Sequence, residues 1–584
     1  MKSFRLLAPV LLATSFATPL AAQQTVDADA DLQALYADYY QWGLEQSAVY
    51  ETEGGEIERG GDLPDVSAAA REAQASASAA FLARLDAIDP AGLTLAEQVN
   101  AQVLRAVLQE ELGDAQFREW EMPFDSDSSF WSYLDARSGF DTVEEYDHYL
   151  SRMRQVPRYL GQHVANARTG LERGFSVPRV TLAGRDESVR AYTVVEGNPF
   201  WNAFAQMPDR IPEAERTRLQ AEARAVIETD IVPAYSDLLE FLQDEYFPHA
   251  RETLAAEQMP DGPAYYAQNI RQYTTLDMSA EEIHQVGLAE VARIEAAMQE
   301  IMDEVGFTGT IAEFNEALRT DPQFIARTPD ELMGVSAYVA KRVDGEIDSY
   351  FGFLPRRRFT IRPVPDAIAP FYTAGRGGLD SCLMNTYDLP SRPLYNIPAL
   401  TLHECAPGHS FQAAFQREVT GEVPDFRRNL YFSGMGEGWG LYTEYLGEEM
   451  GIYRTPYERF GRLSYEMWRA ARLVIDTGVH HYGWSREQAV EYLASRTALS
   501  RHEVGTEVDR YISWPGQALA YKLGEMTIRR LRGEAEAALG DDFDLRKFHD
   551  VVLALGSVPL PVLEDRIAQF IADGGQGLEG VSYD

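Results

Sequence analysis

The sequence predicts a mainly α-helical protein of more than one lobe, with one small β segment. Three observations carry this. Long stretches place apolar residues three and four positions apart, the period of a helix with one buried face. Only residues 359–385 show the alternation and glycine punctuation of paired strands. The length, 584 residues, exceeds what one hydrophobic core usually organises, so lobes are expected.

Residues 1–22 read as a secretory signal. Lys2 and Arg5 give a positive start, Leu6 to Leu20 is apolar but broken by Pro9 and Pro19, and Ala21-Ala22 offers small residues before Gln23. The apolar stretch is short of the ~20 residues that a membrane span needs. No cysteine follows it to carry a lipid anchor. The expectation is an exported protein, most simply periplasmic, with no membrane span after signal removal.

From about Leu32 to Leu112 the chain is rich in Ala, Gln, Glu and Leu, interrupted by a polar linker at Gly54 to Gly61. Helical periodicity returns over residues 143–171, 213–242, 280–305 and 329–349. Ser279 and Glu282 have the spacing of a capping box, in which each side chain satisfies a free backbone donor at a helix start. A soft boundary near Ala255 to Gly262 separates an N-terminal helical region, 23–258, from a catalytic region, 259–584. The β signal begins with the alternation Phe359-Thr360-Ile361-Arg362-Pro363-Val364. It continues through Ala369 to Tyr372 into Ala374-Gly375-Arg376-Gly377-Gly378. A sheet edge at Gly377 and Gly378 could hold an extended peptide by main-chain hydrogen bonds. A solvent turn is the competing reading of the same glycines.

Charge limits the partners. With 52 basic against 91 acidic residues the surface repels phosphate, which argues against nucleic acid and anionic membrane. The two cysteines cannot build a disulfide framework. Cys382 and Cys405 could pair in an oxidising compartment or lie apart as two buried small residues, and the unpaired reading is preferred.

The chemistry concentrates in His403-Glu404-Cys405-Ala406-Pro407-Gly408-His409 and in a second acidic motif, Glu437-Gly438-Trp439. Two imidazoles and a carboxylate brought together bind one zinc ion and leave a fourth position for water. Glu404 is then placed to act as general base. The common zincin spacing puts its histidines at i and i+4. Here the second is at i+6, about 120° away on a regular helix. Pro407 must kink or unwind that helix, and Gly408 opens backbone angles closed to other residues, so His409 can return to the side of His403. Pro393 and Pro398 are expected to keep the first half of the lead-in extended.

These residues resemble a bacterial family catalogued as domain of unknown function 885. The resemblance rests on the His403–His409 block with Gln412, and on Glu437-Gly438-Trp439-Gly440-Leu441-Tyr442-Thr443-Glu444. It extends to Thr274–Glu282, to Asp476-Thr477-Gly478-Val479-His480, and to Pro515-Gly516-Gln517-Ala518 with Tyr521. That family is similar to helical zinc peptidases of the neurolysin and Taq-carboxypeptidase type. The resemblance implies a two-lobed helical fold with the β segment near the cleft, and one Zn²⁺ held by His403, His409 and Glu437. Cys405 and Gly440 fall where variation is expected.

Further roles follow as expectations. Glu444, seven residues after Glu437 and on the same face, could orient a ligand histidine. Arg472, Asp476 and His480 recur every four residues along one helix side. His480 is expected to line the site; Arg472 would present a cation to substrate or, with Asp476, serve as support. Trp514-Pro515 reads as a helix start. Tyr521 would stabilise an oxyanion, a role resting mainly on the resemblance, and Gln517 and Arg510 would contact substrate. The resulting expectation is an exported zinc peptidase acting on peptides. A zinc hydrolase of another amide or ester, or a non-catalytic zinc-binding protein, is the alternative.

Overall fold

The computed structural model describes residues 20–52, 56–126, 128–366, 368–419 and 423–583. Residues 1–19 of the expected signal peptide lie outside these, as do Gly54 and Gly55 of the expected linker. Helices dominate, and the few strands form two small sheets.

The Ala-rich N-terminal stretch forms α1 (Leu20–Gln46), α2 (Ala68–Asp86) and α3 (Leu95–Phe117). Part of the expected linker is instead a strand: β1 (Val49–Glu51) pairs antiparallel with β2 (Ile57–Arg59). A capping box of Thr142 and Glu145 starts α4 (Val143–Glu172). The segment expected as one helix over 213–242 is α5 (Glu213–Val226) and α6 (Val232–Glu240), joined by a π turn at Ile227–Ile231. Pro233 follows that turn, and its missing N–H interrupts the regular ladder there.

Next come α7 (Gly262–Thr274), α8 (Ala280–Glu304) and α9 (Pro329–Val343). The Ser279/Glu282 capping box is present at the start of α8. The β signal resolves into β3 (Thr360–Pro363), β4 (Gly375–Gly377) and β5 (Ser381–Met384), in the order β3-β5-β4. β3 runs parallel to β5 and β4 antiparallel, with Gly377 opposite Cys382. The chain then builds α10 (Ile397–Glu404), α11 (His409–Val419), α12 (Ser433–Glu449), α13 (Pro456–His480), α14 (Arg501–Ser513) and α15 (Ala520–Leu539). Pro398 lies in the first turn of α10, so the helix begins earlier than expected. Proline is tolerated there because that N–H has no partner inside the helix.

Two cores matter for the site. Residues from Leu63 to Ala250 form one aromatic-rich cluster that includes Trp131, Tyr146 and Phe200. α1 and α3 do not join it. Leu32, Leu35, Val103, Leu104 and Leu108 pack instead into a larger core with Trp439, Tyr442, Ile528 and Phe548. The first helices therefore buttress the segment that carries the chemistry. Every residue of α13 from Phe460 to His480 is buried except Trp468. The charged groups on this central helix must consequently find partners inside the protein. Beside it, α12 and α15 touch backbone to backbone. A Cβ on Gly438 would stand 2.6 Å from Gly524, and one on Gly524 would stand 1.9 Å from the Gly434 carbonyl. Among the described residues no helix is long and apolar enough to cross a membrane.

Candidate metal centre

The His-Glu-x4-His run is not one kinked helix but two helices. α10 ends at Glu404, α11 begins at His409, and residues 405–408 form the break. Its sequence is dictated by space. A Cβ on Gly408 would lie 1.8 Å from the His403 carbonyl oxygen, so only glycine fits. The Trp439 indole N–H donates to the Pro407 carbonyl at 2.9 Å and holds the break against α12. On its other side Cys405 is bonded to Cys382 of β5, which overturns the unpaired reading. The parallel β3–β5 pairing carries Cys382 to the end of α10, a contact that no local pattern announces. The expected return of His409 to the side of His403 is thus achieved by ending one helix and starting another.

The three candidate ligands meet. Ligand atoms of His403, His409 and Glu437 all lie within 4.8 Å of one another. His403 Nε2 and His409 Nε2 each stand 3.5 Å from Glu437 Oε2. Ligand atoms bound at about 2.0–2.1 Å around a tetrahedral zinc are about 3.3–3.4 Å apart, so the spacing suits that ion. His403 Nδ1 is 2.8 Å from Glu444 Oε1, which fixes the ring and leaves Nε2 for the metal side. A Cβ on Gly440 would come within 2.7–3.0 Å of three atoms of the His403 ring. In this chain a side chain at position 440 would need the His403 ring to shift.

The field at this point is strongly negative, because Glu404, Glu437 and Glu444 surround two imidazoles. Burial opposes a charge on His403, yet hydrogen bonds to Glu437 and Glu444 push its pKa up to about 10. Burial likewise opposes the ionisation of Glu437, while His403 and His409 hold it well below the usual carboxylate range. Two imidazole nitrogens and a carboxylate oxygen in such a field form a donor set suited to a divalent cation, which would take the place of the proton on His403.

Within the buried run from Thr401 to Ser410 only Glu404 and His409 keep partial exposure. Glu404 therefore keeps contact with solvent beside the ligand cluster. Its Oε2 accepts the Gly377 N–H at 2.6 Å, and the Gly378 N–H donates to Ser410 Oγ at 3.2 Å. This corrects the expected role of both glycines. β4 is an edge strand, but these two amides are taken by Glu404 at the end of α10 and by Ser410 in α11. A Cβ on Gly377 would lie 2.0 Å from the Glu404 carbonyl, the reason that strand can approach so closely.

A second group of side chains gathers on α13, α14 and α15. Tyr521, 8% exposed, lies with its ring 4.4 Å from the Arg472 guanidinium carbon. Arg510 lies within electrostatic reach of Tyr521 and donates to Gln517 Oε1 at 2.9 Å, so these three expected residues are near one another. Arg472 is buried beneath them, donating to Tyr511 Oη and Glu507 Oε2, each at 2.9 Å. It supports the tyrosine instead of meeting a substrate. His480 is also corrected. Its Nδ1 accepts the Ala256 N–H at 3.1 Å and its Nε2 donates to the Tyr511 carbonyl at 2.8 Å, so neither nitrogen is free. Burial pushes its pKa down to about 3 and keeps it neutral. Asp476 accepts from Tyr266 Oη at 2.6 Å and from the Gly516 N–H at 3.1 Å, anchoring the loop before Gln517. Trp514 closes α14, and Gly516 turns the chain at φ +87°. The helical start therefore falls at Gln517, two residues later than expected.

Sequence reasoning missed Tyr431. Its hydroxyl donates to Glu437 Oε1 at 3.0 Å while 55% of the residue remains exposed. Its position six residues before Glu437 was the one available signal.

A family model described as "Bacterial protein of unknown function (DUF885)" matches residues 49–567. Two solved structures resemble the chain over nearly its whole length. One is a putative lipoprotein from Colwellia psychrerythraea, 27% identical, covering 95% of this chain and 99% of its own, with a TM-score of 0.84. The other is a putative lipoprotein of unknown function from Shewanella oneidensis, 17% identical, covering 95% of this chain and 100% of its own, with a TM-score of 0.66. At 17% identity that likeness speaks for the fold alone. No curated protein matches the chain.

Proposed function

The chain belongs to the bacterial family of unknown function DUF885, and from that premise we propose that it is an exported, zinc-dependent peptidase with a two-lobed helical architecture. The observation that carries the reading is the meeting of His403, His409 and Glu437 beside a partly exposed Glu404. Three protein ligands leave one position of a tetrahedral ion for water, the arrangement of hydrolytic rather than structural zinc. Export is supported by the signal-like residues 1–22, and by the Cys382–Cys405 bond, which persists in oxidising compartments. The two similar structures are described as putative lipoproteins. The first cysteine of this chain is Cys382.

His403, His409 and Glu437 would hold the ion. When bound, zinc supplies Lewis acidity and brings the pKa of a water toward neutrality. Glu444 keeps the His403 ring in one orientation and tautomer. Glu404, steadied by the Gly377 amide, accepts the proton of the attacking water and returns it to the leaving amine. Tyr521 donates its hydroxyl to the developing oxyanion, and Arg472 behind the ring keeps it in place. Arg510 and Gln517 contact the substrate beside it.

Metal analysis and a mixed peptide library read by mass spectrometry test this. The expected result is about one zinc per chain and shortened peptides. His409→Ala should lose metal and activity together, whereas Glu404→Gln should keep zinc and lose turnover by about 10²- to 10⁴-fold. Full zinc occupancy in His409→Ala would remove the metal site. Intact peptides from zinc-loaded protein that hydrolyses simple esters would replace the peptidase reading with another hydrolase.

A further inference from the structure

Some buried carboxylates in this protein are matched by cations. Glu466 meets Lys522, Arg462 and Arg293, and Glu121 meets Arg173. Others, such as Asp476, are matched by neutral donors. One group has neither in full. On α3, Glu110 and Asp114 stand four residues apart and share a face, with Glu119 just beyond the helix. Opposite them, Tyr265, Asn269, Gln272 and Tyr273 form one stripe of α7. Gln272 Nε2 donates to Glu110 Oε1 at 3.1 Å, and Glu119 lies within electrostatic reach of Tyr265 and Asp114.

The group is rich in acceptors and poor in donors. Asp114 Oδ1, Asn269 Oδ1 and Gln272 Oε1 are all buried without a hydrogen-bond partner, and Asn269 is only 3% exposed. A buried acceptor left without a donor costs about 1–3 kcal/mol, so three on two facing stripes mark a place made for a donor. Burial raises the pKa of Asp114, and the charge of Glu119 raises it further; burial raises that of Glu119 also. Glu110, Asp114, Glu119 and Gln272 keep partial exposure, so the group is reached from solvent.

From these observations we infer that the facing stripes of α3 and α7 form a subsite for an alkylammonium group, supplied by the substrate's amino terminus or by a lysine side chain. An ammonium brings three N–H donors and a positive charge. Three orphan acceptors and an uncompensated carboxylate pair are its complement. A chain of side chains leads from the subsite toward Gln517 and Tyr521. Trp514 Nε1 donates to Tyr273 Oη at 2.6 Å, and Arg510, which donates to Gln517, lies over the Trp514 ring at 5.5 Å. Asn269 itself packs against Gly516, at the head of the loop that carries Gln517. The inference rests on the peptidase reading only in naming the ammonium as part of the substrate.

Calorimetry on the zinc-loaded Glu404→Gln protein tests binding apart from turnover. The probes are trialanine, N-acetyl-trialanine and N-acetyl-Ala-Lys-Ala. Trialanine should bind at least about tenfold more tightly than its acetylated form. Asp114→Asn/Glu119→Gln should abolish that preference and leave the affinity for acetyl-trialanine unchanged. Glu110→Gln, which keeps the carboxylate pair, is the second variant should the double replacement fail to fold, and it should reduce the preference. Equally tight binding of acetyl-Ala-Lys-Ala assigns the ammonium to a lysine; weak binding assigns it to the amino terminus. Equal affinity for trialanine and acetyl-trialanine, or a preference that survives the replacements, overturns the inference. Failure of the peptidase reading shows separately, as intact peptides from the zinc-loaded wild type.

Discussion

Replacing Cys382 and Cys405 together by alanine removes the covalent tie between β5 and the end of α10. The two residues are separated by 23 positions. In the chain-entropy account, closing a loop of that length stabilises the folded state by about 3.4 kcal/mol. The loss should fall locally. α13 is a long helix buried along most of its length, whereas β4 and β5 are strands of three and four residues. Those strands deliver the Gly377 amide to Glu404. A local loss of that size corresponds to about 300-fold more frequent opening. Hydrogen exchange read by mass spectrometry on peptides spanning residues 375–384 measures it directly. The expected result is faster exchange in that segment, unchanged exchange in α13, and reduced turnover. Exchange within about threefold of wild type across 375–384 would refute the argument that the bond holds the strand. Two free thiols in the native protein would refute the bond itself.

Tyr521→Phe keeps the ring above Arg472 and removes only the hydroxyl. kcat and kcat/KM should fall equally, by about 10²- to 10³-fold, and an unchanged kcat would return Tyr521 to a packing role. Gly440→Ala drives a methyl into the His403 ring, and zinc affinity measured by chelator competition should drop by about 10- to 100-fold. Unaltered affinity would mean that the ring is not held as described. Asp476 has its pKa raised to about 7, first by burial. The folded state therefore binds a proton that the unfolded state has released, and stability falls as pH rises from about 4 to 7. Asp476→Asn should flatten that part of the melting profile; an identical slope in both proteins would contradict the shift.

Much of the architecture was legible because helices announce themselves locally. The capping box at Ser279 and the shared face of Glu437 and Glu444 are both spacings of seven residues or fewer. The β segment was legible for the same reason, since alternation and glycines lie side by side in the chain. Reading failed where the deciding contact was distant. His480 has the spacing of a site residue, but Ala256 and Tyr511 occupy its nitrogens. Gly377 has the look of a peptide-holding edge, but Glu404 takes its amide first. Cys382 and Cys405 gave no sign of pairing, because strand order rather than sequence distance brings them together.

The sequence by itself determined the helical class, the residue types that can hold a divalent cation, and the need for a break between His403 and His409. Proline cannot donate to a helix and glycine alone fits against a carbonyl, wherever the chain runs. Only the tertiary structure decided that the break returns His409 to Glu437, and that Glu444 orients one ring while Gly377 steadies Glu404. It alone brought Tyr431 to the cluster. Those outcomes depend on glycine contacts between α12 and α15 and on a parallel strand pairing. Contacts across long stretches of chain are set by which buried faces fit together, and a local pattern carries no record of the face it will meet.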